Sequence, residues 1–227
     1  MRKIAIVGGT GIQDPSQKNQ LEALTIQTPF GPAFCEKGSI YGNQVVFLAR
    51  HGKGHSVPPH KINYRANIWA LKYLGTEEIL ATAAVGSANK QMIPGSFVVC
   101  DQILDFTKNR VNTFYNGQKN LVAHVDFTNP YCPFLRKKVI EAMEKLCIPF
   151  FRTGCYVTSE GPRYETAAEI KMIAQLGGDL VGMTGMPEAF LAREAEMCYV
   201  NVSLVTNMAA GISTKLLTHE EVEENMK

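Results

Sequence analysis

The chain has 227 residues, of which 45% are hydrophobic and 19% are charged, and its formal net charge is +2. This length and composition predict a single globular α/β domain, residues 1–227, with enough apolar surface to bury its own core. The small net charge argues against nucleic acid as a partner, and the apolar run after Arg2-Lys3 is too short for a signal peptide or a membrane span.

The six cysteines show neither a Cys-x-x-Cys pair nor the spacing of a zinc site. Several of them lie in apolar runs, where a reduced thiol behaves as a small hydrophobic side chain. The pattern favours reduced cysteines and a cytoplasmic location. The cysteines are Cys35, Cys100, Cys132, Cys147, Cys155 and Cys198.

The first predicted strand, Lys3–Val7, runs directly into Gly8-Gly9-Thr10-Gly11. A glycine-rich turn after a strand exposes backbone amides that can hold an anion, and the Thr10 hydroxyl adds a donor. The turn is neither a dinucleotide fingerprint, because Asp14 stands where the third glycine belongs, nor a Walker loop. An ordinary tight turn remains the alternative for this stretch.

The next clear strand, Gln44–Leu48, is followed by the basic loop from Ala49 to His55. The guanidinium of Arg50 and the imidazole of His51 could clamp an anion there, although a solvated basic loop is the alternative. Two histidines in one loop raise the question of zinc. Glycines at positions 52 and 54 argue against the helix on which such ligands usually lie, so no metal site is predicted.

The middle of the chain alternates helices and strands. A helix is predicted over Lys61–Leu74 and a second over Pro133–Leu146. Strands are predicted over Glu78–Val85, Phe97–Leu104 and Phe150–Val157, the first of them apolar enough to be buried on both faces. The polar stretch Lys108–Asn120 is predicted to be a surface excursion.

Thr158–Thr166 follows the strand that ends at Val157 and precedes a helical pattern over Ala167–Gln175. Its Gly-Pro turn presents Tyr164 beside Glu165. An aromatic ring with a neighbouring acceptor can stack on a heterocyclic base and read its edge. The alternative is that Glu165 lies in the first turn of the helix, where the dipole favours an acid.

Two further strand ends carry polar groups. Asp179–Gly182 leads into Met183 and Thr184, and Pro187 is expected in the first turn of the following helix. Cys198–Thr206 leads into Asn207-Met208-Ala209, where the amide can donate and accept in one plane. Beyond these, Thr218 is predicted to cap a last helix with His219 in its first turn; a surface histidine is the alternative.

The order of these elements predicts an α/β fold of a single domain, with a mixed, mostly parallel twisted sheet and helices on both faces. Ligands in such folds bind outside the carboxyl ends of the strands. Most of the polar loops follow strand ends, so they are expected to form one site.

Six stretches taken together carry a family resemblance. They are Gly8-Gly9-Thr10-Gly11, Arg50-His51, the run from Asn63 to Leu71, the run from Glu160 to Glu165, Gly182-Met183-Thr184 and Thr206-Asn207. They resemble the trimeric purine nucleoside phosphorylases and methylthioadenosine phosphorylases, over nearly the whole chain. The resemblance implies that a purine nucleoside and phosphate give free purine and ribose 1-phosphate. It also implies a homotrimer or a dimer of trimers, and no metal or organic cofactor.

The resemblance assigns residues to three parts of a site. Asn207, Arg50 and His51 would act on the reacting groups. Phosphate would be held by Thr10, Arg50, His51, Thr184 and the backbone at Ala83 and Ala84, although the family usually has Thr or Asn at the position of Ala83. The nucleoside would be held by Tyr164, Glu165, Met183, Asn207, Met208, Ala209 and His219, and by His124 of a neighbouring subunit.

Glu165 and Asn207 indicate which base would bind. An ionised carboxylate can only accept, so Glu165 suits the N1–H of a 6-oxopurine, and Asn207 can donate to O6 while accepting from a protonated N7. A mismatch with adenine would leave buried groups unpaired, which is worth roughly a ten- to hundredfold preference. Inosine and guanosine are therefore the predicted substrates.

Two alternatives remain. An imidazole at His219 would suit a 5′-hydroxyl, whereas the loop from Met183 to Glu188 resembles that of methylthioinosine-cleaving members. A 5′-methylthioinosine or 5′-methylthioadenosine phosphorylase is therefore the nearest alternative. A non-catalytic purine nucleotide-binding module is a more distant one.

Overall fold

The computed structural model describes residues 3–8, 21–117 and 121–213. These residues form eleven strands and four α-helices, together with two short 3-10 turns. The strands are β1 Ile4–Gly8, β2 Glu22–Thr28, β3 Gly31–Ile40, β4 Asn43–Ala49, β5 Glu78–Ser87, β6 Phe97–Val99, β7 Gln102–Asp105, β8 Phe150–Phe151, β9 Cys155–Thr158, β10 Leu180–Gly182 and β11 Cys198–Met208. The helices are α1 Tyr64–Tyr73, α2 Pro133–Lys145, α3 Ala167–Gln175 and α4 Glu188–Glu194, and the turns are Lys53–His55 and Pro59–Lys61.

All the described strands belong to one branched sheet. Its main path is β2-β3-β4-β1-β5-β10-β9-β7, and a branch of β11, β6 and β8 leaves from β5. Six of the ten strand pairings are parallel. The predicted mixed, mostly parallel sheet is confirmed.

Helices cover both faces of this sheet, as two neighbours on β11 demonstrate. Tyr199 belongs to the core cluster that contains the buried residues of α1 and α4, whereas Val200 belongs to the cluster that contains the buried residues of α2. Successive side chains on a strand point to opposite faces. The α1–α4 layer and α2 therefore lie on opposite sides of β11.

Two predicted strands are each divided in the structure. The stretch from Phe97 to Leu104 forms β6, which pairs with β11 and β8, and then β7, which pairs with β9. The stretch from Phe150 to Val157 likewise forms β8 and β9. The chain changes strand partners at both breaks, and the two breaks are joined by a bond from Asp101 N to Gly154 O of 3.2 Å. A continuous apolar run cannot reveal such a change of partner.

The β2–β3 hairpin was not predicted. Its strands pair antiparallel from Glu22↔Lys37 to Thr28↔Gly31. The turn is closed by the Thr28 hydroxyl, which donates to Gly31 O at 2.6 Å and accepts from Phe30 N at 3.1 Å. Thr-Pro-Phe-Gly is a recognisable turn sequence, so this hairpin could have been found from its loop.

The helix ends agree with their capping residues. Asn63 caps α1 by accepting from Ala66 N, and Thr166 and Glu169 form a reciprocal capping box at the start of α3. None of the described helices combines the length and apolar character needed to cross a membrane.

Cys132 and Cys198 form a disulfide across 66 residues of sequence, with their Cα atoms 5.1 Å apart. The bond joins the residue before α2 to the first residue of β11. The prediction that all six cysteines are reduced is therefore wrong for this pair. The predicted cytoplasmic location is not decided by it, because disulfides also occur inside the cells of hyperthermophiles.

We expect Cys198→Ser to lower the free energy of unfolding by about 2–4 kcal/mol, since the open chain gains entropy mainly in the unfolded state. Urea unfolding measures this, with Cys147→Ser, a change at an exposed and unpaired cysteine, as the matched control. Adding a reductant should bring the parent protein down to the stability of Cys198→Ser. Equal stabilities without reductant, with all six thiols titrating in denaturant, would show that the bond does not form.

Candidate active site

The site is centred on a part of β5 that lacks a partner strand on one side. On the other side, β11 pairs with β5 along its whole length, from Glu78 to Ser87. On the open side, β1 pairs only with Glu78 to Ala81, and β10 pairs only with Gly86 and Ser87. Among the described strands none pairs with residues 82–85 on that side, and Ala84 is exposed although it lies in a central strand. The strand order therefore leaves an open notch.

The predicted loops do follow strand ends, but they do not all approach this notch from the same direction. β1 and β4 are parallel to each other and β1 is parallel to β5, whereas β10 runs antiparallel to β5, and β9 runs parallel to β10. The loops after β1 and β4 thus meet those after β9 and β10 from opposite ends of β5. We expected all these loops to lie at one edge of the sheet, at the carboxyl ends of parallel strands. They instead approach the middle of β5 from its two ends.

Arg50 is the first residue after β4, and it is buried beside the notch. Its backbone N donates to Gly8 O at 3.0 Å. Its Nε and Nη2 each donate to Glu188 at 2.7 Å, and Nη1 donates to Thr82 O at 3.1 Å. Since three of the five guanidinium N–H groups are used, two remain to bind an anion. The alternative of a solvated basic loop is wrong for Arg50.

Glu188 anchors this guanidinium and was not among the predicted site residues. It is completely buried at the start of α4, and it also accepts from the Tyr199 hydroxyl at 2.8 Å. Burial by itself would lower the pKa of Arg50, but the Glu188 carboxylate raises that pKa above its ordinary value, so the guanidinium stays charged. A single acid in an otherwise apolar stretch, Ala-Phe-Leu-Ala, signals a buried partner.

His51 lies next to Arg50 and is also buried. Its Nδ1 is 2.9 Å from Val57 O, which can only accept, so Nδ1 carries the hydrogen and Nε2 is an acceptor in the neutral ring. Burial lowers the pKa of His51 to about 4. The ring is stacked on that of His55 with the centroids 4.1 Å apart. His51 thus offers a lone pair at neutral pH.

The backbone of β5 adds a further donor beside Arg50 and His51, because the N–H and C=O groups of alternate residues point to the same side of a strand. Thr82 O faces Arg50, so the backbone N–H of Ala84, two residues on, points to the same open side. Ala83, between them, faces β11 and is buried. Of the two positions assigned to phosphate, Ala84 is the one whose backbone the strand geometry turns towards the notch.

Met183 and Thr184 follow β10 as predicted. Thr184 is buried, and its backbone N lies 3.4 Å from the hydroxyl of Tyr156. Met183 packs on Gly161 in the loop after β9, so closely that a Cβ on that glycine would be 2.6 Å from the Met183 sulfur. The loops after β9 and β10 are therefore in direct contact.

Glu165 is half-buried in the loop after β9, before α3 begins at Ala167. Ser159 donates its hydroxyl to Glu165 Oε1 at 2.5 Å, while its backbone N donates to Gly182 O at 2.8 Å. The alternative that placed Glu165 in the first turn of the helix is wrong, because Glu169 holds that position. No local sequence pattern indicated this role of Ser159.

Tyr164, which precedes Glu165, keeps 38% of its surface exposed. Partial burial, and then the neighbouring Glu165, raise the pKa of the Tyr164 hydroxyl above its ordinary value, so the phenol is neutral. The ring is accessible for stacking.

Asn207 lies beside Gly86 because β11 has a bulge. The register with β5 shifts between Val205 and Asn207, which places Asn207 opposite Gly86. A Cβ on Gly86 would be 3.2 Å from Asn207 Nδ2, so the glycine makes room for the amide. Asn207 Oδ1 accepts from Thr206 at 3.0 Å and Nδ2 donates to Met208 O at 3.1 Å. One lone pair and one N–H of the amide remain.

The remaining predicted residues are less closely tied to this cluster. Met208 pairs with Ser87, and Ala209 N donates to Ser87 O at 2.8 Å, so both lie at the end of β11 near Asn207. His124 is exposed in an irregular segment, and it takes no part in the contacts between loops described above. Thr10 and His219 lie outside the described residues.

No group of three His, Cys, Asp or Glu side chains that could hold a metal ion occurs in the described parts of the chain. The prediction that the protein needs no metal or organic cofactor is not tested by this observation.

A family model described as the phosphorylase superfamily matches residues 3–227. The chain belongs to the phosphorylase superfamily. The resemblance seen in the six sequence stretches is thereby confirmed.

Named relatives of this superfamily member fall into the two expected groups. A 6-oxopurine nucleoside phosphorylase of Pyrococcus furiosus is 57% identical over 232 residues, covering 100% of this chain and 87% of that protein. A probable S-methyl-5′-thioinosine phosphorylase of Thermodesulfovibrio yellowstonii is 47% identical over 228 residues, covering 99% and 84%. Among solved structures, a methylthioadenosine phosphorylase from Schistosoma mansoni in complex with adenine superposes with a TM-score of 0.94 at 35% identity, covering 100% of this chain and 86% of that one.

His51 should contribute a pH dependence to stability. Its pKa is about 4 in the folded protein and about 6.5 when exposed, so the unfolded chain binds more protons between these values. The difference in unfolding free energy between the parent and His51→Asn should therefore shrink as the pH falls from 6.5 to 4, and be constant above 6.5. Urea titrations at a series of pH values measure it, with the exposed His124→Asn as control. A difference that does not change with pH would contradict the buried neutral ring.

Proposed function

We propose that this chain catalyses the phosphorolysis of 6-oxopurine nucleosides, converting inosine or guanosine and phosphate to the free purine and ribose 1-phosphate. The observation that carries the proposal is that the polar groups of the site are tied to neighbouring strands: Arg50 binds Thr82 O on β5, and Asn207 lies opposite Gly86 on the same strand. Glu165 is anchored by Ser159, whose backbone N binds Gly182 O at the end of β10. The 57% identity to a protein named 6-oxopurine nucleoside phosphorylase supports it.

The base is read by Glu165 and Asn207. Because Ser159 already donates to Oε1 of Glu165, Oε2 is the oxygen that accepts from N1–H of the purine. The remaining N–H of Asn207 donates to O6, and its remaining lone pair accepts from a protonated N7. Adenine presents a lone pair at N1, which an ionised carboxylate repels. Tyr164 stacks on the base, with Met208 and Ala209 beside it.

Phosphate is held by neutral and charged donors together. The two remaining N–H groups of Arg50, the N–H of Ala84 and the hydroxyls of Thr184 and Thr10 donate to its oxygens. His51 accepts from the P–OH of hydrogen phosphate through Nε2, because Val57 fixes the other nitrogen as a donor. Binding and reaction need no metal and no organic cofactor.

The reaction is a dissociative displacement. The glycosidic bond lengthens first and leaves an oxocarbenium-like sugar and a purine that carries negative charge. Asn207 stabilises this charge at N7 and O6, and the phosphate stabilises the sugar cation and then bonds to C1′. Met183 packs under the ribose. Positioning of the two substrates supplies much of the rate enhancement.

The active form is a homotrimer or a dimer of trimers in the cytoplasm. In that assembly His124 of a neighbouring subunit closes the sugar side of the site, which agrees with its exposure in the isolated chain. His219 binds the 5′-hydroxyl.

A second candidate is a phosphorylase of 5′-methylthioinosine. It is favoured by the loop from Met183 to Glu188 and by the 47% identity to a protein named as a probable enzyme of that kind. An imidazole at His219 favours a 5′-hydroxyl over a thioether, which accepts hydrogen bonds only weakly.

A substrate panel tests the proposal. We expect phosphate-dependent release of purine from inosine and guanosine at rates roughly ten- to a hundredfold above adenosine, since adenine leaves the carboxylate mismatched. The panel includes 5′-methylthioinosine and 5′-methylthioadenosine, each with and without phosphate. Faster turnover of adenosine, or binding of purine without formation of ribose 1-phosphate, would refute the proposal; faster turnover of methylthioinosine would favour the second candidate.

Asn207→Ala tests the proposed stabilisation of the leaving base. We expect kcat for inosine to fall by about a hundredfold, with KM changed much less, because the amide acts chiefly in the transition state. Asn129→Ala, at an exposed asparagine outside the site, is the matched control and should keep the parent kcat. An unchanged kcat in Asn207→Ala would remove the amide from the mechanism.

A further inference from the structure

Arg110 lies in the irregular segment between β7 and α2, which the sequence suggested to be a surface excursion. The structure instead buries its side chain, which is only 3% exposed. A buried guanidinium needs partners for each of its N–H groups, or it is costly to the fold. The partners of Arg110 therefore indicate what it does.

All five N–H groups of Arg110 have acceptors. Nε donates to Glu160 Oε1 at 3.3 Å, and Nη1 donates to the Tyr64 hydroxyl at 3.1 Å and to Met186 O at 2.6 Å. Nη2 donates to Ser159 O at 3.2 Å and to Glu160 O at 2.8 Å. The contrast with Arg50, which has two N–H groups left over, is direct. Arg110 has no donor with which to bind a ligand.

Three of the five acceptors are backbone carbonyls in two different loops. Ser159 and Glu160 belong to the loop after β9, and Met186 belongs to the loop after β10. These are the loops that also touch through Gly161 and Met183. A single rigid, planar group thus fixes the distance between them.

The contact is reciprocal. Glu160 Oε2 accepts from the backbone N of Lys108 at 2.5 Å and from that of Asn109 at 3.2 Å, so Glu160 holds the segment that carries Arg110. Tyr64, at the start of α1, adds a third anchor, since the guanidinium also lies 5.4 Å from the centroid of its ring. Arg110 is therefore itself held in place from two sides.

One of the two loops carries the group that was assigned to the base, and the other carries the groups that were assigned to the sugar and to phosphate. Ser159, whose carbonyl binds Arg110, donates its hydroxyl to Glu165. Met186, whose carbonyl also binds Arg110, closes the loop that begins with Met183 and Thr184. The guanidinium thus connects the proposed base-binding carboxylate to the proposed sugar and phosphate contacts.

We infer that Arg110 is a positioning residue for the phosphorolysis proposed above, which holds the loop after β9 at a fixed distance from the loop after β10 so that base and phosphate bind in line with the glycosidic bond. The inference rests on that proposed function. Misplacement of a substrate by about 1 Å can reduce a rate by about a hundredfold, so this role is expected to affect turnover more than binding.

Lysine cannot replace this group. It has three donors on a flexible stem, in place of five in a fixed plane. In Arg110→Lys we expect kcat for inosine to fall by about fiftyfold, between the roughly tenfold effect of a lost hydrogen bond and the roughly hundredfold effect of misplacement. KM for phosphate should change by less than about threefold, since no phosphate contact is removed.

Arg136→Lys is the matched control. Arg136 also donates to three backbone carbonyls, those of Val99, Cys100 and Arg152, but it lies away from the site. We expect a similar loss of thermal stability in both lysine variants and a reduced kcat only in Arg110→Lys. A merely structural role for Arg110 would instead lower the fraction of folded enzyme and leave kcat per folded molecule unchanged. Titration of the binding sites with a tight-binding purine measures the concentration of folded enzyme.

A second variant guards against a failure of Arg110→Lys to fold. Glu160→Gln keeps the size of the side chain and one acceptor but loses the charge that faces Arg110. We expect a smaller fall in kcat, about tenfold, again with KM for phosphate nearly unchanged. If the parent enzyme cleaves inosine and both variants keep its kcat, the positioning role is refuted and the proposed function stands. If the parent enzyme releases no purine in the presence of phosphate, the proposed function itself has failed.

Discussion

The site depends on one constraint, which is that two strands share one side of β5. β1 enters from one end and β10 from the other, and both stop before they meet. The unpaired backbone between them is stabilised on its far side by β11, so the notch does not weaken the centre of the sheet. Each loop that borders the notch begins where a strand ends, and rigid strands therefore set the positions of the polar groups.

Two buried arginines illustrate how the same side chain serves different purposes. The difference is decided by how many N–H groups the protein itself uses. At Arg50 a carboxylate and one carbonyl leave part of the guanidinium unused on the open side of β5. At Arg110 the protein uses every donor, and the group can only hold other parts of the chain together. Burial and charge alone would not distinguish them.

Much of the fold followed from local patterns in the sequence. Helical periodicity located α3, apolar runs located most strands of the centre, and strand ends located the candidate loops. The divided strands and the branch at β5 were not predictable, because strand partners are chosen by long-range pairing. Within the site, Glu165 and Asn207 stand out by residue type. Ser159 and Arg110 do not, since their importance comes from the partners that the folded chain brings to them.

The ion pair between Arg50 and Glu188 has a consequence for how firmly an anion would be held. The Glu188 carboxylate offsets much of the positive charge of the Arg50 guanidinium. A dianion at the notch would therefore be bound by the directed N–H groups at short range, and the ion pair would attract it only weakly from a distance. Capture would then be only weakly sensitive to ionic strength, and a phosphorylated sugar formed there would not be retained by strong Coulombic attraction. A buried acid beside a cationic side chain thus leaves directed hydrogen bonds, more than net charge, to hold an anion at the site.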